Sequence, residues 1–230
     1  MRPIGLLGGM SWESSIEYER IINEAVRDSL GGTHSADLII RSFDFAAIER
    51  LQELDDWDGA ANLLADSAAV LERSGAELIV LCTNTMHRVA DRIAAAVHVP
   101  FLHIADPTAD AIIESGIGSV TLLGTRYTME QQFITGPLRD RGIDVLVPSE
   151  SEREVIHRII FEELVRGVID DSSRKAMVEI IERLSSDGAQ GVVAGCTEIE
   201  LLVRPSDIKV PLFPSARLHA EAAARWALQI

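Results

Sequence analysis

Residues 75–84 read Gly-Ala-Glu-Leu-Ile-Val-Leu-Cys-Thr-Asn, and residues 188–197 read Gly-Ala-Gln-Gly-Val-Val-Ala-Gly-Cys-Thr. Laid together on their Gly-Ala starts, they are two copies of one unit: an apolar strand that ends in small polar residues. The offset is 188 − 75 = 113, and it places Cys196 opposite Thr83 rather than Cys82. Two further segments repeat in the same order. Gly5-Leu6-Leu7-Gly8-Gly9-Met10 matches Thr121-Leu122-Leu123-Gly124-Thr125-Arg126 at 124 − 8 = 116, and Val99-Pro100-Phe101-Leu102 matches Val210-Pro211-Leu212-Phe213 at 210 − 99 = 111. A strand stopped by glycine is common, but three such matches in order at nearly one offset point to a chain made of two similar halves.

Each half alternates short apolar runs with longer amphipathic ones. Strands are expected at Ile4–Leu7, 37–42, Leu78–Cys82, 101–104, 119–123, 144–147, 192–195 and 212–213. Helices are expected at 14–30, 60–74 and 86–97, where apolar residues recur at helical spacing. Leu78–Cys82 lacks polar alternation, as a strand covered on both faces should. The βαβα order predicts an α/β class with two similar, pseudo-symmetric domains built on parallel-rich sheets. Residues 1–100 with 209–230 are expected to form the first domain, and 101–208 the second. Ligands of such sheets bind beyond the carboxyl ends of the strands. The polar strand ends at 8–12, 83–85, 125–128 and 196–198 are therefore expected to meet in an interdomain cleft.

Composition excludes several classes. The net charge is −15, unsuited to a nucleic-acid binder, which needs basic surface to displace counterions. No apolar run approaches the roughly 20 residues that cross a bilayer, and the start of the chain lacks a signal-peptide core. The expectation is a cytoplasmic protein without a membrane or nucleic-acid partner. Two cysteines in 230 residues form no disulfide framework. The histidines, cysteines and carboxylates show no metal-ligand spacing, so no metal is expected.

The glycine turn Gly5-x-x-Gly8-Gly9 matches neither common nucleotide-binding pattern and reads as a tight strand-to-helix turn, with the N–H groups of Met10 and Ser11 available to a carboxylate. Cys196 lies at a strand end before a helix, where the helix dipole should lower its thiol pKa. Cys82 falls one residue earlier, inside the apolar run, so its side chain should point away from that of Thr83. Thr83, Asn84 and Thr85 offer hydroxyl and amide groups suited either to an amino acid's polar groups or to capping a helix. His87 and His103 are acid–base candidates or core residues. Arg50 and Gln52, in a charged stretch expected to be exposed, are candidates for a distal carboxylate, as are Arg126, Tyr127 and Arg166.

Gly8-Gly9-Met10-Ser11-Trp12, Cys82-Thr83-Asn84-Thr85-Met86-His87 and Gly195-Cys196-Thr197-Glu198-Ile199 together resemble the aspartate/glutamate racemase family, the cofactor-independent amino acid racemases. The resemblance covers the whole chain. It implies two pseudo-symmetric α/β domains, a cleft active site, a free amino acid substrate and a homodimer. The family's usual first motif is Cys-Asn-Thr; here Thr83 precedes Asn84-Thr85. The chain thus resembles the L-aspartate/glutamate-specific branch with a Thr/Cys pair. That resemblance implies Thr83 and Cys196 as the proton carriers, with substrate contacts at Met10, Gln52, Thr83, Asn84, Thr85, Thr197 and Glu198. Related folds with cleft cysteines also decarboxylate or isomerise dicarboxylates, and a broader amino acid racemase and a two-domain amino acid receptor are further readings.

Overall fold

A computed structural model describes residues 1–230. The chain divides into two compact units: Met1–His103 with His219–Ile230, and Ile104–Leu218.

The first unit contains β1 (Ile4–Gly8), α1 (Trp12–Leu30), β2 (Leu38–Ser42), α2 (Phe45–Glu53), α3 (Trp57–Arg73), β3 (Leu78–Leu81), a 3₁₀ turn (Thr85–Val89), α4 (Ala90–Ala94) and β4 (Phe101–Leu102). The second contains α5 (Ala105–Glu114), β5 (Ser119–Gly124), α6 (Arg126–Glu130), α7 (Gln132–Asp140), β6 (Asp144–Leu146), α8 (Glu150–Arg158), α9 (Asp171–Ser186), β7 (Val192–Gly195), α10 (Thr197–Leu202) and β8 (Leu212–Pro214). A π turn at Ile159–Glu163 continues α8. Helix α11 (Ser215–Leu228) begins in the second unit and ends in the first.

The two sheets have one topology. Their strand orders are β2-β1-β3-β4 and β6-β5-β7-β8, and every pairing is parallel. β1 corresponds to β5, β3 to β7 and β4 to β8, the three matches read from the sequence. The central strands β1, β3 and β7 are buried along their whole length, which explains their unbroken apolar character. In the second unit, Val192 and Ala194 join a core with α8 and α9, while Val193 joins another with α5 and α7. Each buried aliphatic side chain contributes about 1.5–3 kcal/mol relative to exposure, so both faces of the sheet are held.

Three expectations need correction. The units do not divide at 100/101 and 208/209. β4 pairs with β3 in the first sheet, and β8 with β7 in the second, so 101–103 belongs to the first unit and 209–218 to the second. The charged stretch around Arg50 is mostly exposed, but Gln52 within it is not. The stretch forms α2, N-capped by Asp44, with Ile48 and Gln52 buried. The helix expected at 86–97 is a 3₁₀ turn followed by one short α-helical segment. Here the His87 N–H bonds to Asn84 O (3.0 Å), while the ring Nδ1 takes the Thr83 carbonyl at 2.7 Å, where an α-helix would place the backbone N–H.

Candidate active site

In the first unit the polar residues gather where β1 and β3 end. Gly9 has φ +83°, and a Cβ there would run into the backbone N and O of Phe43, so the turn requires glycine. The Gly9 N–H is not open to an anion: it donates to Ser15 Oγ at 2.7 Å, and Ser15 Oγ donates to Ser11 O at 3.0 Å. Ser11 caps α1 through Ser14 N–H (3.3 Å), and Ser14 Oγ reaches Cys82 O (3.4 Å). The side chains of these serines, to which the sequence assigned no role, tie the two strand ends together.

Met10 is buried in one core cluster with Ile48, Leu81 and Met86. Gln52 is buried too, its amide donating to Met86 Sδ at 3.1 Å. Asn84 and Thr85 are buried, and Thr83 is half-buried. Met86, next after Thr83–Thr85, thus takes the Gln52 hydrogen bond and shares a core with Met10. Arg50, Arg126 and Arg166 are exposed, and Tyr127 is half-buried.

In the second unit β7 ends at Gly195, and Cys196 occupies the cap position of α10 with extended backbone (φ −155°, ψ 132°). Cys196 is half-buried against the α8–α9 core, and its Sγ donates to Glu198 Oε2 at 2.9 Å. Glu198 is buried and Thr197 half-buried. Alongside, at the end of β5, the Thr125 and Thr128 hydroxyls lie 3.1 Å apart.

Sheet register relates the two strand ends. Leu7 pairs with Leu81, and the Cys82 N–H continues that ladder to Leu7 O at 2.9 Å, so the terminal Gly8 of β1 aligns with Cys82. The terminal Gly124 of β5 aligns with Gly195. Cys82 is therefore the counterpart of Gly195, and Thr83 of Cys196.

The two thiols differ in environment. Cys82 is fully buried, and burial alone pushes its thiol far up. Cys196 is not lowered by its helix, contrary to the sequence expectation. Burial raises its thiol well above the ordinary value, and the Glu198 carboxylate adds charge repulsion and accepts its hydrogen bond. A six-residue helix supplies too little dipole to reverse these effects.

His87 does not fit the acid–base role open to it from sequence. It is 2% exposed, and burial holds its ring well below the usual histidine range, with His103 and His219 adding to the shift. His219, from α11, is fully enclosed, and burial takes it down to about 3. No three His, Cys, Asp or Glu side chains converge as a metal-ligand set.

The sign of the histidine effect follows. An unfolded chain binds a proton on each ring below about pH 6.5, whereas folded His219 stays neutral until about pH 3. Protons therefore favour the unfolded state across that window. Stability should be fully present above pH 6.5 and fall as pH drops toward 3. Thermal melts from pH 7.5 to 4 should show a falling Tm, with a shallower decline in His219→Gln; an identical decline in that variant would contradict the assignment to His219.

A family model described as Asp/Glu/Hydantoin racemase matches residues 7–223. The chain belongs to the Asp/Glu/hydantoin racemase family. It is a racemase, an isomerase acting at a stereocentre. A Yersinia pestis protein assigned as an Asp/Glu racemase is similar over the full length of both chains, at 53% identity and a TM-score of 0.94. An aspartate racemase homologue from Pyrococcus horikoshii OT3 is 37% identical, with a TM-score of 0.87 and 99% and 100% of the two chains covered. The broad-specificity amino-acid racemase RacX of Bacillus subtilis (strain 168) is 24% identical over 174 residues, 73% of this family member and 72% of RacX. No helix of this racemase is long and apolar enough to cross a membrane.

Proposed function

We propose that the chain interconverts the L- and D-forms of aspartate and glutamate, with Thr83 and Cys196 serving opposite faces of Cα and no pyridoxal phosphate taking part. The observation that carries this reading is the register equivalence of Thr83 and Cys196. A two-fold repeat supplies two equivalent positions, and inversion at carbon requires two proton carriers.

The α-hydrogen is a very weak acid, so the carbanion must be stabilised as it forms. Asn84 and Thr85, with nearby backbone N–H groups, are suited to the carboxylate as it takes on enolate charge. Cys196 is the base. Its thiol proton passes to Glu198, the carboxylate 2.9 Å away, and the thiolate then removes hydrogen from Cα. Thr83, or a water it holds, returns a proton to the opposite face and is reprotonated from solvent. An alcohol is a far weaker acid than a thiol, so Thr83 serves better as donor to a strongly basic carbanion than as base. The enantiomers have equal free energy in water, so both directions share one kcat/KM. Met10, Gln52, Thr197 and Glu198 complete the substrate contacts. The enzyme acts in the cytoplasm as a homodimer.

The test is incubation with L-aspartate or L-glutamate in D2O, without added cofactor and with hydroxylamine present to trap any carbonyl cofactor. Chiral chromatography with mass spectrometry should show D-product carrying one deuterium. Neither product nor exchange from either substrate would remove the acidic substrates. Equal turnover of neutral amino acids would favour the wider specificity named for the Bacillus relative.

A further inference from the structure

One cluster in the first unit has no part in the scheme above. His87, whose ring meets the Thr83 carbonyl, is surrounded by Phe101, His103 and His219. The His87 and His103 rings are 4.6 Å apart and edge-on, His87 and His219 are 5.8 Å apart, and His87 and Phe101 are 5.8 Å apart. A carbonyl oxygen can only accept, so hydrogen-bond partners settle two tautomers. His219 Nε2 faces Leu102 O at 2.9 Å and must carry the proton; its Nδ1, 2.9 Å from Tyr18 Oη, accepts from the phenol. His87 Nδ1 faces Thr83 O at 2.7 Å and must carry its proton there.

We propose that His87 is the positioning residue for Thr83: its Nδ1–H holds the Thr83 carbonyl and so fixes the backbone from which the Thr83 side chain projects. This rests on the reading of Thr83 as a proton carrier. Thr83 sits where the β3 ladder has ended, between Cys82 N–H, still bonded to Leu7 O, and the 3₁₀ turn. Its own N–H bonds back to Leu81 O at 2.9 Å, a tight local turn. With the His87 N–H directed to Asn84 O, the imidazole is the group that ties the Thr83 carbonyl to the following turn. The ring cannot easily swing away, because His103, Phe101 and His219 line it, and His219 is fastened through both nitrogens to β4 and α1. The chain Tyr18–His219–Leu102 thereby braces a wall behind a single peptide. Its consequence is confined to one face of the substrate, since Cys196 is held by other elements.

That confinement makes the test selective. With Thr83 displaced, Cys196 still removes the α-hydrogen facing it and returns deuterium to the same face, so substrate exchanges without inverting. In His87→Leu, inversion in D2O should fall about 10–100-fold, the size expected when a reacting group shifts by about an ångström. Exchange with retention, in the enantiomer whose hydrogen faces Cys196, should persist. His87→Asn, whose amide places an N–H where Nδ1 stood, should restore inversion. His87→Gln, with its N–H one bond further out, should not, and it replaces the Leu variant if that chain fails to fold. In a Thr83→Ala background none of these changes should lower inversion further. Wild-type inversion in His87→Leu and His87→Gln, equal loss of exchange and inversion in folded protein, or no rescue by His87→Asn would each overturn the assignment. Absence of any exchange in the wild type would instead overturn the Thr83/Cys196 reading and this inference with it.

Discussion

Cys196→Ala should abolish interconversion of the enantiomers, lowering kcat/KM by about 10³-fold or more, near the upper range for loss of a positioned acid–base group. Cys82→Ala should leave kcat/KM within about threefold of wild type, because surface substitutions apart, a change outside the chemistry acts mainly through stability. The contrast is large because the two thiols are adjacent in motif but opposite in situation. Cys82 is fully buried beneath the end of β3, while Cys196 keeps accessible surface and a carboxylate partner. Thr83→Ala should behave differently from both. It removes the donor on one face only, so inversion fails while deuterium still enters through Cys196. Chiral analysis and α-deuterium content, measured on the same samples, separate the three. A Cys82 variant as inactive as the Cys196 variant, in folded protein, would show that the register assignment of the carriers is wrong.

Glu198→Gln should make the Cys196 thiol more reactive and the enzyme slower. The amide keeps the size of the side chain but removes the negative charge. Charge repulsion from Glu198 is the largest cause after burial of the raised thiol, so its removal lets the thiol ionise at lower pH. Alkylation by iodoacetamide should therefore move to lower pH. Turnover should nevertheless drop about 100-fold across the pH range, since the thiol has lost the base that takes its proton. If the rate profile merely moved to lower pH with its plateau intact, Glu198 would be tuning the thiol without receiving its proton.

Much of the architecture was legible because it is written in strand chemistry. Fully apolar runs ended by glycine announce buried parallel strands, and their repetition at offsets of 111–116 foretold two sheets of one topology. The positional equivalence of Thr83, not Cys82, with Cys196 needed only the spacing of a repeat, and sheet register gives the same equivalence. Other features depend on contacts between residues far apart in the chain. Gln52 lies among charged neighbours, and nothing in its own segment reveals that Met86 will accept its amide. The 3₁₀ turn at Thr85–Val89 follows from an imidazole competing for a backbone carbonyl, which apolar periodicity does not register. The raised thiol of Cys196 reflects desolvation, and a helix-dipole argument omits that effect. His219 stands more than 110 residues from Leu102, the carbonyl it binds, and no local pattern marked it. The division near 208 went astray because β8 and the start of α11 belong to different units from the end of the same helix.

The course of the chain also bears on synthesis. The second unit is an insert of 218 − 104 + 1 = 115 residues, entered after His103 and left before His219, and Leu102 and His219 bond to each other across its ends. As a nascent polypeptide emerges N-terminus first, the last strand of the second sheet precedes the part of α11 that the first unit needs. The unit begun first is therefore completed last. Until residues 219–230 leave the ribosome, Tyr18 lacks its histidine partner and Leu102 its donor. A stalled or truncated product would pair a finished second unit with an open first one, and such half-made chains are where proteases and chaperones would first meet this protein.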